Sequence, residues 1–189
     1  MRIISGTSRG TKLFSPPGMD TRPMLDRVKG SLFNIIANEI NDCIVIDLFA
    51  GSGALGLEAL SRGAKFCYFV ESGQHVKKVI SQNIEKTGMI EKCKLLTCDA
   101  YKIFSIVAGI KFDLFFFDPP YIHFDNPATR RKCIEFLAQL AKQSSAKNGM
   151  IIMHYRKGAM AGFPIPAPLE IEDNRTYGTT ELMFLRVVL

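Results

Sequence analysis

The chain has 189 residues, 24 Lys and Arg against 18 Asp and Glu, a formal charge of +6, and 47% hydrophobic and 22% charged residues. A chain this long supports one domain with at most a small appendage and buries roughly 70% of the surface exposed on unfolding; its composition excludes extended disorder and a fibrous chain. Residues 1–30 hold Arg2, Arg9, Lys12, Arg22, Arg27 and Lys29 against Asp20 and Asp26, so +4 of the +6 sits at one end.

The first twenty residues contain short β-like pieces at Arg2–Ile4 and Lys12–Phe14, a small hairpin or arm. From Thr21, a candidate N-cap shortly before Pro23, apolar residues Leu25, Val28, Leu32, Ile35 and Ile36 recur at helical spacing to about Asn38. The other face of this helix carries Arg27 and Lys29, either an anion-binding surface or an ordinary solvated one. After residue 42 strands and helices alternate. The expected strands are Cys43–Leu48, Phe66–Glu71, Lys94–Thr97, Asp113–Asp118 and Met150–His154, and the expected helices 54–62, 73–87, 100–108 and 128–143. Continuous apolar runs such as Leu114–Phe117 suit strands covered on both faces, hence a parallel, doubly wound α/β sheet. The tail reads as an antiparallel hairpin, Leu169–Ile171 and Leu182–Val188 around a turn at Asn174–Gly178. No linker divides the chain; the expected organisation is a basic arm and helix over residues 1–40 and a catalytic domain over 41–189.

The cysteines at 43, 67, 93, 98 and 133 include no Cys-x-x-Cys pair and none near a His at ligand spacing, so no metal is expected. Their odd number, the lack of a signal-peptide core and the absence of ~20 consecutive apolar residues point to a cytoplasmic chain with no membrane partner.

The first strand runs into Asp47–Gly56, where Gly51, Gly53 and Gly56 match G-x-G-x-x-G, and Glu71 follows Gly51 by 20 residues, the place of a ribose-binding acid. Read alone, this suits a dinucleotide and an NAD-dependent oxidoreductase. Asp47, at the strand end, argues otherwise, because a carboxylate beside an anionic pyrophosphate in a poorly solvated crevice is costly. S-adenosylmethionine (AdoMet), with a sulfonium, an ammonium and no phosphate, is the better chemical match. Asp99, after the third strand, is either a partner of the adenine amino group or an N-cap.

The fourth strand ends in Asp118-Pro119-Pro120-Tyr121. Two prolines fix φ and remove two donors, leaving a stiff, acceptor-rich loop. The Asp118 carboxylate and Pro119 carbonyl are placed to accept the hydrogens of an exocyclic amine, and the Tyr121 ring to stack on a base that has left its helix. An adenine-N6 DNA methyltransferase or a protein-amide methyltransferase would use the same loop.

The set Arg2–Gly6, Arg22-Pro23, Asp26–Val28, Leu32–Asn34, Asp47–Gly56, Glu58-Ala59, Asp118–Tyr121 and Tyr177-Gly178 resembles the bacterial 16S ribosomal RNA (guanine-N2)-methyltransferases of the RsmD type, over nearly the whole chain. The resemblance implies a seven-stranded Rossmann-like fold, AdoMet as donor and an unpaired guanine of 16S ribosomal RNA as acceptor; a monomer is expected, with either naked RNA or the assembling small subunit as substrate. It implies Asp47, Gly51 and Gly53 at the methionine end, Glu71 on the ribose and Asp99 near adenine, with Phe49, Ser52, Ser72 and Ala100 in the same cofactor-binding set. Asp118, Pro119, Pro120 and Tyr121 would be catalytic, and Arg2, Arg9, Lys12, Arg22, Arg27 and Lys29 would hold RNA phosphates.

Overall fold

The computed structural model describes residues 1–16 and 24–189. Contacts divide the chain into two compact units, Met1–Ala100 and Tyr101–Leu189.

In the first unit, residues 1–13 double back on themselves: Arg2 bridges Lys12, and Ile3 N–H donates to the Thr11 carbonyl at 3.0 Å. Helix α1 spans Asp26–Ile35, followed by a 3-10 turn at Ala37–Glu39. Its N-cap is Leu25; the candidate cap Thr21, with Arg22 and Pro23, lies outside the described residues. Strands β1 (Ile44–Leu48), β2 (Phe66–Val70) and β3 (Cys93–Leu96) pair in parallel in the order β3-β2-β1, with α2 (Ala54–Ser61) and α3 (Gln74–Thr87) as crossovers. The β-branched run Ile44-Val45-Ile46 favours β1, and Gly88 at φ +69° ends α3, where a side chain would be strained.

In the second unit β4 (Phe112–Phe117) pairs in parallel with β5 (Ser145–Arg156), and β5 pairs antiparallel with β7 (Thr180–Val187), which pairs antiparallel with β6 (Leu169–Tyr177). Between β4 and β5 run the short α4 (Ile122–Asp125) and α5 (Pro127–Ser144). Asn126 caps α5 through its side chain, accepting from Thr129 N–H at 2.9 Å, and Pro127 opens the helix where its missing donor costs nothing. Phe115, Phe116, Phe117, Leu137, Ile151 and Leu185 form a fully buried core. The seven strands, the α/β class and the antiparallel hairpin are those expected.

Two local expectations fail. Residues 100–108 form only a 3-10 turn at Ala100–Lys102 and further turns, since β-branched Ile103, Ile106 and Val107 and Ser105 support a helix poorly. Asn174–Tyr177 is strand, not turn; the reversal is confined to Gly178-Thr179, with Gly178 at φ +62°. Among the described residues no helix is long and apolar enough to cross a membrane, and no cluster of His, Cys, Asp or Glu could hold a metal.

Candidate active site

The glycine turn between β1 and α2 is held by carboxylates beneath it. Asp47 is 2% exposed, and its Oδ2 accepts the Gly56 N–H at 2.9 Å, clasping the first turn of α2 to the strand end. Asp47 thus also shapes the turn. Glu71 Oε2 accepts the Gly51 N–H at 3.0 Å and Oε1 the Gly73 N–H at 2.8 Å, so this half-buried carboxylate ties the first glycine to the start of α3. Phe49 sits at φ +61°, a left-handed conformation costing roughly 1–2 kcal/mol outside glycine, and such strain concentrates where a turn serves a ligand.

The three glycines have different duties. A Cβ on Gly56 would fall 2.3 Å from Phe69 Cε1, and one on Gly53 would fall 2.9 Å from Ile80 Cγ1, so both permit close packing. A Cβ on Gly51 meets nothing nearer than the Phe49 carbonyl at 3.9 Å. The turn is therefore open at Gly51, where a ligand can approach the backbone. Ser52 is buried, with its carbonyl taken by Asn83 Nδ2 at 2.9 Å, whereas Ser72 and Asp99 are exposed and Ala100 is buried.

The arm is built into this unit. Glu58, fully buried on α2, accepts Ile4 N–H at 2.7 Å, Ser5 N–H at 3.0 Å, Arg62 Nε at 2.8 Å and Lys29 Nζ at 3.2 Å. Lys29 Nζ also donates to the Arg2 carbonyl at 2.6 Å. Asn83 on α3 brackets Phe14, accepting its N–H at 2.8 Å and donating to its carbonyl at 3.0 Å. Lys29, expected on an RNA-facing surface, is 1% exposed, so its place among phosphate-binding residues is corrected. Burial depresses its pKa, partly offset by the Glu58 charge. Arg2, Arg9, Lys12 and Arg27 are exposed, with Arg2 3.3 Å from Asp26; Arg22 lies outside the described residues.

In the second unit the Asp-Pro-Pro-Tyr loop follows β4. Its turn is closed by His123 N–H donating to the Pro120 carbonyl at 3.0 Å and Phe124 N–H to the Tyr121 carbonyl at 2.8 Å. Among the described residues none donates to the Pro119 carbonyl, as an amine acceptor requires. Asp118 Oδ1 lies 2.9 Å from His154 Nδ1. The His154 side chain is 5% exposed, that of Asp118 31%. Burial opposes a charge on His154, but the Asp118 charge and hydrogen bond outweigh it and raise the pKa above the usual 6.5. The Tyr121 ring stands edge-on to His154 at 6.3 Å, and the Arg156 guanidinium lies 4.8 Å above it.

Sequence reasoning missed Glu58, Asn83, His154 and Arg156. Glu58 had a legible signal, a lone acid among Leu55, Leu57, Ala59 and Leu60 on a helix, where a buried charge must find partners. His154 becomes visible only once β4 and β5 are paired, because Phe117 is in register with Met153 and the next residues on the two strands are Asp118 and His154.

A glycine turn braced by strand-end acids, and a strand ending in Asp-Pro-Pro-Tyr, define a chain of the Rossmann-like methyltransferase class. The chain belongs to the family described as Conserved hypothetical protein 95, which matches residues 1–186. It is similar to ribosomal RNA small subunit methyltransferase D of Escherichia coli K12, 39% identical over 121 residues, which cover 64% of this chain and 60% of that protein. Among solved structures, yhhF from Escherichia coli superposes with a TM-score of 0.81 at 30% identity, over 99% of this chain and 97% of that one. At the level of the fold alone, SMU.776, solved in complex with SAH, matches with a TM-score of 0.63 at 15% identity over 82% of this chain and 49% of that one.

Proposed function

We propose that this chain methylates the exocyclic N2 amine of an unpaired guanine in small-subunit (16S) ribosomal RNA, with AdoMet as methyl donor. The observation that carries the reading is the amine-accepting geometry after β4: an Asp118 carboxylate held by a buried histidine, followed by a proline carbonyl that no described residue uses. The name of the Escherichia coli relative supports ribosomal RNA as substrate.

The residues of the glycine turn fit AdoMet. Gly51 leaves the backbone open to approach, Glu71 keeps lone pairs beyond its two backbone bonds for ribose hydroxyls, and Asp99 stands exposed after β3. AdoMet when bound supplies an electrophilic methyl group on a positively charged sulfur. The chain's part is positioning and hydrogen bonding. Asp118 and the Pro119 carbonyl accept the two amine hydrogens, which directs the nitrogen lone pair, and the Asp118 carboxylate stabilises the positive charge that develops on nitrogen. Tyr121 stacks on the base, a contact worth ~1–3 kcal/mol in single-strand recognition. Arg9, Lys12 and Arg27 hold phosphates, positioning the RNA without reading its sequence.

The test is transfer of labelled methyl from AdoMet to ribosomal RNA, assembling subunits, DNA and protein in parallel, followed by nucleoside identification. The expected product is N2-methylguanosine in small-subunit RNA; label in adenine or protein would overturn the reading. Asp118→Ala should abolish turnover with AdoMet binding retained.

A further inference from the structure

We propose that His154 is a positioning residue for the transfer: its Nδ1–H holds the Asp118 carboxylate so that Oδ2 is presented to the acceptor amine. The inference rests on the reading of Asp118 given above and adds to it a residue on a different strand.

Asp118 lies just past the end of β4, in a loop, where a carboxylate has rotational freedom; its side chain is 31% exposed. His154 is different. It sits within β5, directly after Met153, the last residue that pairs with β4, and is itself paired on the other side with Leu182 of β7; its side chain is 5% exposed. A buried strand residue paired to β7 and adjoining the β4-paired stretch is held far more tightly than a loop side chain, so the 2.9 Å contact transfers that rigidity to the loop carboxylate. Alternation along β5 places His154 and Arg156 on one face, and both reach the Asp-Pro-Pro-Tyr loop, whereas Tyr155 points to the other face and donates to Asn174 Oδ1 at 3.2 Å. One histidine thus touches both working side chains of the loop, Asp118 through Nδ1 and Tyr121 through the ring edge. With one carboxylate oxygen engaged, the other retains its lone pairs for the amine. A neutral histidine meets this need in the Nδ1–H tautomer, and a protonated one meets it as well.

The test compares His154→Leu, His154→Asn and His154→Gln in the full chain. Asn carries an amide nitrogen the same number of bonds from the backbone as Nδ1; Leu has no donor, and Gln places its amide one carbon further out. His154→Leu is expected to lower kcat about 10²-fold, the scale of a small misplacement in a reacting pair, with the Kd for AdoMet and the KM for RNA within about twofold. His154→Asn should recover most of the loss, and His154→Gln should not. Wild-type kcat in His154→Leu, or equal losses in all three variants, would overturn the proposal. Nitrogen-15 spectra of the His154 ring in the resting protein are read separately: a protonated Nδ1 that shifts in Asp118→Ala is expected, and an unprotonated Nδ1 overturns the assignment even if His154→Leu does not fold. Failure of the functional reading itself shows differently, as an absence of guanine methylation by the wild-type protein before any variant is made.

Discussion

Glu58→Gln should be among the most damaging single substitutions in the first unit. Four donors converge on the Glu58 carboxylate: Ile4 N–H and Lys29 Nζ on one oxygen, Ser5 N–H and Arg62 Nε on the other. An amide keeps one oxygen and turns two N–H groups toward the remaining pair, so one backbone donor and one cation lose their acceptor. A stranded buried donor costs about 1–3 kcal/mol, and breaking a buried ion pair from one side costs about 3–5 kcal/mol. The two overlap, giving an expected loss of about 3–5 kcal/mol, or roughly 10 °C in Tm for a chain of this size. Lys29→Met removes the ammonium together with its desolvation and leaves Glu58 three donors, so it should cost only about 1–2 kcal/mol, the scale of a net hydrogen bond or two. Urea denaturation followed by far-UV circular dichroism reads both, as shifts in midpoint at constant slope. A loss in Lys29→Met equal to or larger than that in Glu58→Gln would refute the reasoning, since the carboxylate would then not be the hub.

The remaining predictions concern charge, pH, packing and thiols. Replacing Arg9 and Lys12 together by Gln should flatten the salt dependence of RNA binding by about 1.4 in log–log slope, at ~0.7 per phosphate contact on single strands; an unchanged slope would return the arm to an ordinary solvated surface. The folded-state pKa of His154 is raised above 6.5, so its stabilising contribution is complete below that value and is lost as pH rises through the folded pKa. The wild type should therefore gain stability over His154→Asn on going from about pH 9 to about pH 6, and a gain in the opposite direction would contradict the Asp118 contact. Gly56→Ala should cost about 1–3 kcal/mol of stability by overpacking against Phe69, whereas Gly51→Ala, with open space around it but a φ of +57°, should cost about 1–2 kcal/mol through backbone strain and in addition bind AdoMet less tightly; calorimetry separates the two. Burial pushes the Cys93 and Cys133 thiols up to about 11, so alkylation of both at neutral pH should be slow in the native protein and fast in urea.

What could be read before folding, and what could not, divides along physical lines. The strands, the crossover helices α2, α3 and α5 and the glycine turn were legible because apolar runs and glycine spacing are local, whereas the helix expected over 100–108 did not form. The Asp-Pro-Pro-Tyr loop was legible for the same reason. Lys29 was misread because an amphipathic helix shows which positions are polar but not whether a polar position meets water or a buried acid 29 residues away, as Glu58 is. Glu71 and Asp47 were found as acids near the turn, yet their hydrogen bonds to Gly51, Gly73 and Gly56 N–H groups follow from backbone geometry that no side-chain pattern reports. His154 needed the register of β4 on β5, a non-local fact.

The arm is anchored chiefly through its backbone. Glu58 takes N–H groups of Ile4 and Ser5, Ser61 Oγ takes the N–H of Ser8, Asn83 takes that of Phe14, and Gly6 lies so close to the Ser61 carbonyl that no side chain fits. None of these contacts depends on what Arg9 or Lys12 carries beyond Cβ. The seating and the outward charge pattern are therefore separable: the surface of the arm can drift, or be rewritten by design, while the same acid, serine and asparagine keep it in place.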